Sequence, residues 1–421
     1  MSPASLFTDN CQFSSYWWDT TSRPQIESTS LPEQCDVAII GSGYTGLNCA
    51  LQTSRAGRTT IVLDAEDAGF GCSTRNGGQI STSVKPSLSE LTRAHGESTA
   101  KAILAEGQNA LSWMGEFLQN ESIECDFRVC GRFHAAHNQK QFNALVAQSN
   151  NQPKGFEVPI RVVPRAEQKT ELGTDVYHGG VVYEQHACLD PGRYHQGLLN
   201  TVMDAGAQVV PYCAVQSIQQ AGAGFKLFTQ RGELHAKDVV VATNGYTNAA
   251  TPQLRRRVIP IGSYIIATEA LEADVMNRLM PTNRIYSDTH KVVYYFRASP
   301  DRSRILFGGR VSSAETDPAK SAPLLKGVLN DIFPELKPVR VSHSWMGFVG
   351  YTFDTKAHVG KHDGLYYALG YCGSGVSMAS YLGMRVGQQV LGLDSGRTGF
   401  DGLKFPTRPL YFGKPWFLPP V

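Results

Sequence analysis

Residues Cys35–Asp64 read CDVAIIGSGYTGLNCALQTSRAGRTTIVLD, and the reading of this stretch decides the fold. Val37-Ala38-Ile39-Ile40 is a short apolar run of the kind that forms a buried parallel strand. Gly41, Gly43 and Gly46 follow in G-x-G-x-x-G spacing, and Leu47, Ala50 and Leu51 fall on one helical face. Arg55-Ala56-Gly57 is a helix stop, with a cation in the last turn and glycine just past it. Thr59–Leu63 is a second β-branched strand, and it ends on Asp64. Gly41 allows the tight turn, Gly43 lets the backbone approach a pyrophosphate, and Gly46 lets helix and strand pack closely. The helix N-terminus offers free N–H groups and a partial positive charge to phosphates, and Asp64 can accept a ribose hydroxyl. A bare G-x-G-x-x-G is a weak signal. Strand, glycines, helix, strand and terminal acid in one unit are a specific one, and they predict adenine-dinucleotide binding.

The chain has 421 residues, enough for two domains that share a large core. Its 42% hydrophobic and 18% charged content suits a soluble globular enzyme. A net charge of +2 without any basic run gives no phosphate-tracking groove, so no nucleic-acid partner is expected. Residues 1–10 lack a signal-peptide pattern, and no apolar run is long enough to predict a transmembrane span. Nine scattered cysteines fit reduced thiols and a cytoplasmic location. Cys125 and Cys130 match no zinc or redox spacing, and His343, His358 and His362 stand apart from clustered thiolates and acids, so no metal is expected. Oligomeric state is not legible.

Residues 11–34 read as an extended arm pinned by Tyr16-Trp17-Trp18, with no active role. The glycine-rich loop at 69–79, GFGCSTRNGGQ, leaves backbone N–H groups uncovered beside a planar ligand or an anion. Residues 88–120 and Gln139–Gln148 are expected helices, with a strand-like stretch at Cys125–Ala136 between them. Residues 177–184 read as a strand and turn. A helix starts at Leu189-Asp190-Pro191-Gly192 and ends at Ala205-Gly206. Val209-Val210, Ala214-Val215 and Ile218 read as one strand; Phe225–Thr229 and Leu234-His235 as a hairpin; Asp238–Ala242 as a buried strand entering the turn Thr243-Asn244-Gly245-Tyr246. Residues 258–312 are strand-rich, with Tyr264, Tyr294, Tyr295 and Phe296 as aromatic walls. Residues 323–332 are expected to be helical and Val341–Phe348 a strand containing Trp345. Leu365–Leu369 runs into Gly370-Tyr371-Cys372-Gly373-Ser374-Gly375 and a helix from Val376 to Leu391, which repeats the opening device.

Taken in order, DVAIIGSGYTGLNCALQ, GFGCSTRNGGQ, LDPGRYHQGLLNTVMDAGAQV, VVVATNGYTN, YYFRASPDRSRILFGGR and GLYYALGYCGSGVSMASYLG resemble the D-amino-acid-oxidase-like flavoproteins, and within them the gamma-glutamylputrescine oxidase branch. The resemblance implies an α/β fold, in which a Rossmann-like FAD-binding domain (1–88, 155–257 and 342–421) is interleaved with an α+β substrate domain (89–154 and 258–341) on a mostly antiparallel sheet. It implies FAD-dependent oxidation of a C–N bond in a primary or secondary amine to an imine, hydrolysed to aldehyde and amine, with O2 or a respiratory carrier as electron acceptor. Gly41, Gly43, Tyr44, Thr45, Gly46, Asp64 and Ala65 would hold the ADP half, and Val215 would meet the adenine. Ser73, Thr74, Arg75, Asn76, Gly77, Gly78 and Gln79 would line the pyrophosphate and flavin, with Thr243 and Asn244 nearby. Gly373, Ser374, Gly375 and Val376 would face the electron-accepting end from a helix N-terminus. No protein general base is required if the amine enters neutral, which an apolar aromatic pocket favours. Tyr264, Tyr295, Arg297, Trp345 and Ser374 are the candidate substrate-pocket residues.

The chain also departs from that family. Ser374 replaces the branch's histidine in the GYSGHG turn. The stretch Trp345-Met346-Gly347-Phe348-Val349 lacks the carboxylate-binding arginine of the small-amino-acid oxidases, and Gly373 stands where their second arginine falls. Loss of both forks argues against a simple glycine or D-amino-acid substrate. No cysteine lies between Cys213 and Cys372, so the FAD is expected to be non-covalent. The alternatives are an amino-acid or imino-acid oxidase or dehydrogenase that binds carboxylate through Arg297, and a non-catalytic FAD-binding module. An NAD-dependent dehydrogenase would leave the loop at 69–78 and the turn at 370–375 without a role.

Overall fold

The computed structural model describes residues 6–26, 30–311 and 316–417. Residues 1–5, within the stretch read for a signal-peptide pattern, and residues 27–29 of the arm lie outside the described residues.

The strand Gln34–Ile40 is the centre of an eight-stranded sheet. It pairs in parallel with Thr60–Leu63 on one side and Gly232–Val241 on the other. Gln208–Val210 extends the first edge in parallel, and Leu365–Leu369 joins the second in parallel against Val240 and Val241. Burial on both faces explains why Val37, Ala38 and Ile39 are all apolar and fully covered. The helix Tyr44–Arg55 leaves the central strand through the glycine turn and packs beside the helix Gly375–Val390. Val209 to Ile218 is not one strand. Gln208–Val210 sits at the parallel edge, whereas Val215–Ala221 forms an antiparallel meander with Gly224–Thr229 and Gly232–Val241. Pro211 and Tyr212 (φ 51°) make the break.

The second sheet has nine strands, in the order Phe7–Gln12, Val341–Tyr351, Ile259–Thr268, Ile305–Gly309, Tyr295–Ala298, Ile285–Asp288, Arg132–Ala135, Gly180–Tyr183 and Ile160–Val163. Only Phe7–Gln12 with Val341–Tyr351, and Ile285–Asp288 with Arg132–Ala135, pair in parallel. This is the mostly antiparallel sheet expected. Its membership moves the expected domain boundaries, because Ile160–Val163, Gly180–Tyr183, Val341–Tyr351 and Phe7–Gln12 all hydrogen-bond here and not in the nucleotide sheet. Alternate side chains go to opposite faces. One face packs Phe133, Tyr264, Ile266, Tyr286, Phe296 and Phe307 against Leu325, Leu329 and Ile332 of the helix Pro318–Ile332. That helix begins earlier than its sequence suggests: Asp317 caps it through Ala319 N–H, so Pro323 lies inside. The opposite face looks across a cavity toward the nucleotide sheet.

The N-terminal arm is built into the body. Trp17 is fully buried, Trp17 Nε1 donates to Asn76 O (2.7 Å), and Trp18 Nε1 donates to Thr74 Oγ1 (2.9 Å). Ser15 Oγ donates to Thr74 O (2.8 Å). The arm therefore shapes the glycine-rich loop, a task its sequence did not suggest.

Candidate active site

One cavity of about 740 Å³ runs from the end of the central strand to the open face of the nine-stranded sheet. All the expected cofactor residues line it except Gly46, Thr74 and Gly78. These three stand one layer behind. Gly46 is where helix and strand touch, Thr74 ties the loop by donating to Gly69 O (2.6 Å), and Gly78 packs under Leu189 O.

The glycine turn presents bare backbone to the cavity. Gly41 holds φ at 104°, and its N–H donates to Leu63 O (2.8 Å). Gly43 is the N-cap of the helix Tyr44–Arg55 and offers no side chain of its own to cap it. Tyr44 N–H reaches Ser73 Oγ (3.0 Å), so the loop at 69–79 is fastened to the same helix end. Asp64 accepts from Ser42 N–H (2.8 Å), Ser42 Oγ and Glu66 N–H (3.1 Å). Burial raises its carboxyl above the usual value, and the Ser42 bonds oppose that shift. Ser42 also accepts from Gly69 N–H through Oγ (3.0 Å), while its carbonyl receives His195 Nε2 (2.8 Å). His195 is buried and its ring is pushed down to about 4 by that burial, so it is a neutral prop beneath the turn. Sequence reading passed over it, although it lies in the quoted stretch LDPGRYHQGLL.

The loop is braced by cation–π packing. The Arg75 guanidinium lies 4.0 Å from the Phe70 ring centroid and 4.8 Å from that of Trp18, and it donates to Met346 O (3.2 Å). Burial lowers its pKa. Asn76 closes the turn by donating to Cys72 O and Ser73 O and accepting from Gly78 N–H. Across the cavity, Asn244 Oδ1 accepts from Gly370 N–H (2.9 Å), which fixes the second glycine turn. Ser374 precedes the helix Gly375–Val390, and its Oγ donates to Ser83 O (2.9 Å) instead of capping the helix. The first N–H groups of that helix therefore face the cavity uncapped.

Of the five expected substrate-pocket residues, Tyr295 and Ser374 line the cavity. Tyr295 Oη shares a 2.9 Å hydrogen bond with Ser263 Oγ. The other three are corrected by the structure. Tyr264 is on the opposite face of its strand, inside the core under Pro318–Ile332, where its hydroxyl accepts from Thr316 N–H (2.8 Å). Trp345 is buried with Tyr16 and Trp17, and its Nε1 donates to Arg75 O (2.9 Å). Arg297 is 2% exposed and donates to Leu189 O (2.7 Å) and Gly78 O (3.1 Å). The sheet wall instead consists of Ile261, Ser263, Ser287, Tyr295, Val349 and Tyr351, with Arg132 and His134 at its far end. The alternation Arg132-Phe133-His134-Ala135 was the signal for those two polar residues.

The geometry fits a dinucleotide with a planar tail: an uncapped helix end beside Gly43, an acid at the second strand, a strand end at Val215, and a second uncapped helix end farther along. The family described as FAD dependent oxidoreductase matches residues 36–389. A gamma-glutamylputrescine oxidoreductase of Escherichia coli is 31% identical over 363 residues, covering 85% of this chain and 84% of that protein. A probable oxidoreductase OrdL of Haemophilus influenzae is 29% identical, covering 93% of this chain and 91% of that protein. Among solved structures, glycine oxidase from Geobacillus kaustophilus superposes with a TM-score of 0.74 at 17% identity, covering 90% of this chain and 99% of that chain. L-proline dehydrogenase from P. horikoshii gives 0.70 at 18% identity, covering 88% and 96%. These structural likenesses establish the fold.

Proposed function

Since this chain belongs to the family of FAD dependent oxidoreductases, we propose that it oxidises a C–N bond of a primary or secondary amine with an extended substituent, in the manner of a gamma-glutamylputrescine oxidase. The amine becomes an imine as two electrons pass to the flavin, and water hydrolyses the imine to an aldehyde and either ammonia (from a primary amine) or an amine (from a secondary one). FAD, when bound, supplies the electron acceptor. The observation that carries the reading is the continuity of one cavity from Gly43 and Asp64, past the helix end at Gly375, to a sheet wall of Ile261, Tyr295, Val349 and Tyr351.

In this reading the residues bind, orient and exclude water. The helix Tyr44–Arg55 takes the pyrophosphate on the first-turn N–H groups that Ser73 leaves free, and Asp64 takes the adenosine ribose. The N–H groups of Gly375 and Val376 and the dipole of their helix favour negative charge at the electron-accepting end. The Ser263–Tyr295 hydrogen bond keeps that phenol oriented, and burial holds its pKa far above neutrality. Tyr295 is thus a neutral wall and not a base. Apolar groups beside it favour the uncharged amine. The alternative clamp through Arg297 loses support, because that side chain is buried away from the cavity lining, with Nη1 on Gly78 O and Leu189 O and Nε on Ala298 O. Nine unbridged cysteines support a reducing, cytoplasmic setting, and no helix of the described residues is long and apolar enough to cross a membrane.

An anaerobic panel of amines, read by bleaching of the visible flavin band, tests the proposal. Bleaching by extended amines is expected. A flavin that stays oxidised with every amine overturns it and favours the non-catalytic module. Hydrogen peroxide release in air then separates O2 from a respiratory carrier as acceptor.

A further inference from the structure

The charges around the cavity are segregated. Its acids, Asp64 and Glu66, both sit at the nucleotide end. The wall away from that end carries Lys85, Arg132, Lys291 and Arg310 and no carboxylate. Arg132 is the informative member of this set.

Arg132 opens the strand Arg132–Ala135 and points to the same face as His134, while Phe133 between them enters the core. Its Nε is buried without a hydrogen-bond partner, and among the described residues no carboxylate pairs with the guanidinium. The acids on neighbouring segments are committed elsewhere. Glu171 and Glu184 both pair with Arg161 and Arg284. The titratable neighbours that do face Arg132 are Tyr183, Cys130, His134 and His186. Burial raises Tyr183, the hydrogen bond with Cys188 and then burial raise Cys130, and burial lowers both histidines, His134 to about 4, so none is charged at neutral pH. Burial also lowers Arg132 itself to about 10, which leaves it cationic.

A half-buried guanidinium with an unpaired buried Nε and no anion beside it is costly, and replacing such a charge by an apolar group is often neutral or stabilising. Folding therefore gives no reason for an arginine here, whereas a ligand does. The fork also has fitting company. His134 Nδ1 is held by Ser287 Oγ (2.9 Å), so the neutral ring is fixed beside the cation. We propose that Arg132 is the anchor for a carboxylate at the far end of the substrate, so that the enzyme acts on amines whose chain carries an acid remote from the reacting nitrogen. This deepens the amine-oxidation reading and rests on it for the reacting end, whereas the anion site stands on Arg132 alone. It also differs from the expected clamp at Arg297, which does not line the cavity and is buried with Nε and Nη1 on backbone carbonyls.

The test compares Arg132→Met, Arg132→Lys and wild-type holoenzyme, each checked for FAD content. Glutarate binding is measured by calorimetry, and KM is measured for a series of ω-amino acids against alkylamines of equal length. Wild type is expected to bind glutarate and to prefer the ω-amino acids. Arg132→Met should weaken glutarate and raise KM for the acids on the order of tenfold to a hundredfold, which is what a charge-assisted hydrogen-bonded pair supplies. Arg132→Lys keeps the charge, loses the fork and should fall between. Thermal unfolding of the Met variant without ligand should not drop, because an uncompensated charge has been removed. If glutarate does not bind, or binds the Met variant equally, or if alkylamines are preferred, the inference is overturned. Arg132-dependent glutarate binding with no amine turning over would instead sink the amine-oxidation reading and leave the anion site standing.

Discussion

Two neighbouring glycines of one motif should fail in different ways when each gains a single methyl group. A Cβ on Gly46 would lie 1.9 Å from Gly41 O and 3.2 Å from Ile39 Cγ2. Both are fixed, because Gly41 is held by its bond to Leu63 O and Ile39 is in the central strand. Helix and strand must separate by more than 1 Å to restore an ordinary contact of about 3.5 Å. Overpacking of this kind costs about 1–3 kcal/mol and more where backbone is struck, so Gly46→Ala belongs at or above the upper end. A Cβ on Gly43 meets only Ser73 Oγ, at 2.8 Å. That hydroxyl can rotate away, at the expense of its 3.0 Å bond from Tyr44 N–H, worth about 0.5–1.5 kcal/mol. The new methyl then occupies the space beside the uncapped helix end. Gly43→Ala should therefore leave apoprotein unfolding within about 1 kcal/mol of wild type yet weaken FAD by tenfold or more, a loss of about 1.4 kcal/mol. Gly46→Ala should lower both stability and affinity. Urea titration of apoprotein and flavin-fluorescence titration measure the two effects separately. Gly43→Ala binding FAD at wild-type affinity would refute the placement of the pyrophosphate over this turn.

The arm, the acid response and the flavin linkage give further checks. Trp17→Ala removes a fully buried indole and its bond to Asn76 O, so it should cost about 3–5 kcal/mol and loosen FAD as well; urea denaturation with FAD titration reads both. His195 has its pKa lowered from 6.5 to about 4 by burial, with Arg23 opposing protonation and Asp67 favouring it. Between those values the unfolded chain binds more protons than the folded one, so this stability is complete above about 6.5 and is lost as pH falls toward 4, by at most about 3 kcal/mol. FAD retention after gel filtration across that range should fall with acid, and His195→Asn should flatten the dependence if the prop is responsible. Acid precipitation should release the yellow colour into the supernatant, since no cysteine lies between Cys213 and Cys372; colour held in the pellet would contradict a non-covalent flavin.

The nucleotide half was legible because its determinants are local. Strand, turn glycines, helix stop and Asp64 fall within one short segment, and each constrains backbone that touches its own neighbours in sequence. The substrate wall was legible in kind but not in position. Alternation along Ile259–Thr268 shows two faces without saying which one the helix Pro318–Ile332 covers, and that helix comes some fifty residues later in the chain. Tyr264 therefore went to the wrong side, while Ser263 beside it is on the cavity. Arg297 and Trp345 failed for a different reason. Arg297 shares the cavity face of its strand with Tyr295, and Trp345 packs in one cluster with Tyr295, Tyr16 and Trp17. Both lie beyond the point where Trp17 and the loop at 76–78 close over the sheet, with the Arg297 guanidinium 5.7 Å from the Trp17 ring centroid. The arm that read as passive thus sets the limit of the site. It removes one arginine from the cavity by burying it against backbone carbonyls, and the arginine that lines the open part of the same sheet without a carboxylate partner is Arg132. A composition-based choice between two arginines could not find this difference, because it depends on which carbonyls and rings the N-terminus brings across more than a hundred residues of chain.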